Sequence, residues 1–110
     1  MNIEAELLKK IEEVQDANDF GRWLIAKVVL QAIMDLKHAT SLDRYDDKHI
    51  GERNEAIFNF RTARFYFEKH EISDLKSHCK ILGIRVNIVQ YMANQWIKEG
   101  LKYVNKYANL

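Results

Sequence analysis

Proline is absent from the 110 residues, glycine occurs only four times and cysteine once. Without proline nothing in the chain forces a helix to break, and so little glycine leaves few places for left-handed or unusually tight backbone. Both absences favour an all-α fold. The single cysteine, Cys79, excludes an intrachain disulfide and suits a reducing compartment. Long apolar runs are missing as well: the richest stretch, Trp23 to Met34, is interrupted by Lys27 and Gln31 and is too short and polar to span a membrane. The N-terminal residues are acidic, with no basic region leading into an apolar one, so no secretory signal is predicted and a cytoplasmic protein is expected. A net charge of +1 excludes a polycation.

What is present is ordinary for a globular chain. Hydrophobic residues make up 47% and charged residues 30%, enough apolar side chains for a core and too many for a disordered segment. The length corresponds to one domain, residues 1–110. The charge is unevenly spread. Residues 1–50 hold seven Lys/Arg against ten Asp/Glu, a net −3, while 51–110 hold ten against six, a net +4. In the last 35 residues Lys76, Lys80, Arg85, Lys98, Lys102 and Lys106 face only Glu99, a net +5. A basic C-terminal half suits an acidic partner such as nucleic acid.

Apolar periodicity predicts five helices. Leu7, Leu8, Ile11 and Val14 recur at helical spacing among charged residues in a first amphipathic helix. Asn18 or Asp19 can cap a second helix from about Phe20 to His38, apolar nearly all round and therefore expected at the centre of the core. The polar segment Thr40 to Gly51 reads as the main loop, with Asp43, Asp46 and Asp47 solvated. A third helix is predicted from Glu52 to about Lys69, burying Ala56, Phe60, Ala63 and Phe67. Ser73 is the expected cap of a short fourth helix that Gly83 ends in left-handed backbone, and a fifth runs from near Val86 to Tyr107.

The fourth and fifth helices have the spacing of a C-terminal helix-turn-helix at about 73–97. Two helices that cross steeply need a small residue at their approach and a glycine at the turn. Cys79 and Gly83 stand in those places, with Leu75, Leu82, Ile84, Val89 and Met92 at the shared core. His78 departs from the apolar residue usual at its position. On this reading Val86 to Trp96 is a recognition helix with Arg85, Asn87, Gln90, Tyr91 and Asn94 outward. Arg, Asn and Gln are the side chains that form paired hydrogen bonds with base edges, and Arg85 and Gln90 are the leading base-reading candidates. Lys76, Lys80, Lys98 and Lys102 would neutralise phosphates. Asn87 and Gln90 also have the spacing of a pair that merely caps the helix start, and Trp96 is expected in the core.

The stretch AIMDLKH (Ala32 to His38), the later aromatic run and DLKSHCKILGI (Asp74 to Ile84) resemble small helical proteins encoded by phages and prophages. That resemblance implies transcriptional control or genome handling for a mobile element. The chain departs from the pattern at Arg85 and Val86, where an acidic cap and a proline are more usual.

Catalytic signatures are missing. His38, His49, His70, His78 and Cys79 form no metal-binding spacing, the acidic loop falls short of a calcium site, and no phosphate loop or nucleophile elbow occurs. Neither an enzyme nor a cofactor is expected. The expected role is a transcriptional regulator that binds double-stranded DNA, with a homodimer reading paired half-sites. The alternative is an adaptor or inhibitor that binds a host protein through aromatics such as Phe58, Phe65 and Tyr66.

Overall fold

Asp19 starts the helix around which the rest of the chain packs. Its carboxylate accepts the Arg22 backbone N–H at 3.1 Å, satisfying one of the donors that a helix start leaves open. In the computed structural model, which describes residues 2–16, 19–69 and 71–108, this helix α2 (Phe20–His38) follows α1 (Ile3–Asp16) and precedes α3 (Ile50–Glu68), α4 (Leu75–Leu82) and α5 (Val86–Ala108). No strand occurs among the described residues, and the fold is all-α. Asn18, the other candidate cap, lies outside the described residues.

Helix α2 touches all four other helices, and Ala26, Val29, Ile33 and Leu36 on its inner side are fully buried. The stripe Ala56, Phe60, Ala63 and Phe67 of α3 packs into the same core, joined by Ile57. Leu7 and Ile11 of α1, Leu75, Cys79 and Leu82 of α4, and Val89, Ala93, Ile97 and Val104 of α5 complete it. Removing a large side chain of this kind from water stabilises the fold by about 1.5–3 kcal/mol. The apolar character of α2 all round does not, however, mean burial all round. Phe20, Leu24, Val28 and Met34 are 44–68% exposed, because the other helices cover only the side that carries Ala26 and Ile33.

The polar segment after α2 is more regular than its composition predicts. It forms two short 3-10 turns, Ala39–Arg44 and Asp47–His49, and α3 begins at Ile50, two residues ahead of the predicted Glu52. Leu42 anchors the first turn in the core, and Thr40 donates its hydroxyl to the Lys37 carbonyl at 2.7 Å. Asp46 accepts the Lys48 N–H at 3.0 Å and bonds His49 Nδ1 at 2.6 Å. Nor is Asp43 merely solvated: it accepts hydrogen bonds from Lys106 at 3.1 Å and from the Tyr107 hydroxyl. Those two donors hold the Asp43 carboxyl below the ordinary carboxylate range and tie the end of α5 to the α2–α3 connection.

Helix α4 ends where its sequence says it should. Gly83 adopts φ 68° and ψ 31°, its N–H meets the Lys80 carbonyl at 3.2 Å, and the Ile84 N–H meets the Cys79 carbonyl at 2.9 Å. These crossed bonds satisfy carbonyls that the last turn leaves open. A Cβ at Gly83 would meet only Lys10 Nζ, at 3.9 Å, so space is not the constraint. Gly83→Ala is expected to cost about 1–2 kcal/mol through its left-handed backbone alone, and Gly83→Asn distinctly less. Urea denaturation checks this, and equal losses for the two variants would contradict it.

Candidate nucleic-acid interface

Three residues, Gly83 to Arg85, join α4 to α5. Asp74 rather than the expected Ser73 stands at the cap of the first of these helices, with no capping bond from its side chain; the Ser73 hydroxyl donates to the Tyr66 carbonyl at 2.7 Å and accepts the Leu75 N–H at 3.3 Å. At the start of α5 the Arg85 carbonyl accepts the Val89 N–H at 3.3 Å. Helix α5 begins at Val86, so Asn87 lies inside its first turn and does not cap it.

The burial pattern of α5 sets its free face. Val89, Ala93, Ile97, Gly100 and Val104 are buried, and steps of about one turn put Asn87, Tyr91, Asn94 and Lys98 on the opposite side. All four are exposed, Tyr91 to 70%, and Arg85 is exposed just ahead of them. The first carboxylate on α5 is Glu99, and it pairs with Lys102 at 3.2 Å. On α4, Lys76 and Lys80 are exposed on the side away from Leu75, Cys79 and Leu82.

Gln90 does not belong to this free face. It is half-buried, and its amide donates to the Phe67 carbonyl near the end of α3 at 3.1 Å, fastening α5 to α3. That bond takes up the side chain expected to read a base, and it removes Gln90 from the outward set. Sequence spacing could not reveal this, because the acceptor is a backbone group 23 residues away.

The anomalous His78 also has a partner. Its Nδ1 lies 2.7 Å from the Tyr66 hydroxyl, so a half-buried polar ring on α4 is satisfied by α3 rather than left unbonded. Burial raises the Tyr66 hydroxyl above its ordinary pKa. Tyr66 is therefore not an exposed aromatic, unlike Phe58 and Phe65, which are 67% and 51% exposed. Burial likewise pushes the Cys79 thiol up to about 11, which leaves little thiolate to act as a nucleophile. Trp96 is half-buried with Lys37 Nζ 5.1 Å from its ring centroid.

His38 bonds the Tyr45 hydroxyl at 2.6 Å and His49 bonds Asp46, while His70 lies outside the described residues. Among the described residues no group of three or more His, Cys, Asp or Glu side chains is placed to hold a metal, and no helix is long and apolar enough to cross a membrane. In comparisons with known proteins, no family model, curated sequence or solved structure matches the chain.

Proposed function

We propose that the protein binds double-stranded DNA in a sequence-specific manner and regulates transcription, with α4 and α5 acting as a helix-turn-helix and the first half of α5 as the recognition helix. The observation that carries this reading is the uncovered polar face of α5, Asn87, Tyr91, Asn94 and Lys98, with Arg85 at the end of the three-residue turn before it and no carboxylate among them. Donor and acceptor side chains in that position can meet base edges in the major groove. Lys76, Lys80 and Lys98 flank them as phosphate contacts, and Lys102 can join them because an exposed ion pair such as that with Glu99 contributes little. A regulator of phage or prophage type agrees with the sequence resemblance. Gln90 holds the helix in place and reads no base.

Selection from a random duplex library, followed by gel shift, tests the proposal. Enrichment of a short motif is expected. Arg85→Ala should weaken binding to the selected site by ten- to a hundredfold, about 1–3 kcal/mol, and relax preference at one position. A library that shows no enrichment and no retardation at low salt would overturn the reading.

A second reading has its own support. Phe58 and Ile72, 67% and 75% exposed, are larger apolar surfaces than DNA contact requires, and they favour a protein partner docked away from α5. Capture of one stoichiometric protein after nuclease treatment, with no retention of DNA by the purified chain, would replace the first reading with this one.

A further inference from the structure

Helix α1 lies beside the α4–α5 turn and forms with it an open cleft of about 470 Å³. Lys9, Lys10 and Arg85 line the cleft together with Glu6 and Glu13. We infer that this cleft seats a phosphate of the DNA backbone, held by Lys9 and Lys10 of α1 beside the base-reading Arg85, so that the interface extends from α4 and α5 onto the N-terminal helix. The inference rests on the DNA reading above.

The arrangement of charges carries it. Glu6 with Lys10, and Lys9 with Glu13, are four residues apart on α1, the spacing at which opposite charges on a helix pair with one another. Neither pair closes, and none of the three cations makes an ion pair with a described carboxylate. Elsewhere Arg64 with Glu68 and Lys102 with Glu99 do close, at 3.0 and 3.2 Å. Lys10 instead extends across to the turn, its Nζ 3.9 Å from the place a Gly83 Cβ would take. Lys9 and Lys10 of α1 thus line one cleft with Arg85, just ahead of α5.

A duplex strand bordering the groove that α5 enters must pass the N-terminal end of that helix, which is where the cleft opens. Phosphate oxygens there would meet cations that no described carboxylate has already neutralised. Glu6 and Glu13 line the same cleft and oppose the phosphate. They limit affinity without blocking the seat, since the lining holds three positive groups against two negative ones.

Fluorescence anisotropy with a short mixed-sequence duplex, titrated at several salt concentrations, tests the inference. The Lys9→Gln/Lys10→Gln variant should bind more weakly at low salt, and its dependence of log K on log salt should be shallower than wild type by about 2, about 1 for each lost phosphate contact. The Glu6→Gln/Glu13→Gln variant should bind severalfold tighter. Lys48→Gln, on the connection between α2 and α3, should change neither quantity.

Wild-type binding with an unchanged slope in the lysine variant would overturn the cleft while leaving the DNA reading intact. A lowered melting midpoint with an unchanged slope would also overturn it, and would assign Lys10 to the carbonyl end of α4 instead. Failure of the wild-type chain to bind at low salt would overturn both.

Discussion

Gly100→Ala is expected to destabilise the protein by up to about 2 kcal/mol in its natural background, and to stabilise it once Phe60 has been replaced by alanine. A Cβ on Gly100 would lie 2.5 Å from Phe60 Cε2, 3.1 Å from Cζ and 3.2 Å from the Ala39 Cβ. Phe60 and Ala39 are fully buried, so the ring cannot swing into solvent and must displace packed neighbours. Overpacking of this kind costs about 1–3 kcal/mol, against which alanine gains about 1 kcal/mol over glycine in a helix interior. Phe60→Ala alone removes one of the two largest fully buried side chains and should cost about 3–5 kcal/mol. In that background only the Ala39 contact remains, the helix preference dominates, and the sign reverses. Urea unfolding of the wild type, both single variants and the double variant gives the coupling directly. Additive losses would show that α5 does not need a glycine at this crossing.

Affinity for a duplex should fall about 150-fold when salt rises from about 50 to 200 mM. With four phosphate contacts, from Lys76, Lys80, Lys98 and Lys102, the expected slope is about −3.6, and a fourfold rise in salt then gives that factor. Contacts from Lys9 and Lys10 would steepen it. Replacing Lys76 and Lys80 together by glutamine should lower the slope by about 2 and weaken binding similarly on every sequence, since phosphate contacts carry no base information. Anisotropy at four or more salt concentrations measures both effects. A slope near zero would remove the electrostatic basis of the DNA reading and favour a partner held by the exposed apolar residues.

Helix positions were legible because each rests on local chemistry. Asp19 caps α2 within its own turn, Gly83 supplies the left-handed residue that ends α4, and Ala56, Phe60, Ala63 and Phe67 recur on one side of α3. Contacts between distant segments were not legible. The order in Thr40 to Gly51 depends on Leu42 entering the core and on Asp43 meeting Lys106 and Tyr107, 63 and 64 residues away. At the candidate interface the lysines and asparagines proved exposed as spacing predicts, while Gln90 was claimed by a carbonyl of α3. Lys9 and Lys10 fall among the charged residues of the first amphipathic helix, and only the packing of α1 beside the α4–α5 turn brings them into one cleft with Arg85. Gly100 carried no local signal, because the need for it comes from Phe60 and Ala39.

The free face of α5 is short, and on the DNA reading its length would limit how much sequence information one copy can extract. From Asn87 to Asn94 the helix advances about 12 Å, which matches three or four base pairs at about 3.4 Å each. A word of that length recurs by chance roughly once in every hundred or so base pairs, and a genome offers on the order of a million or more competing positions. If α5 reads DNA as proposed, one helix of this reach could not define a unique address. Selectivity in a cell requires the word to be repeated at a fixed spacing and read by more than one copy, or supplemented by the shape of the flanking duplex.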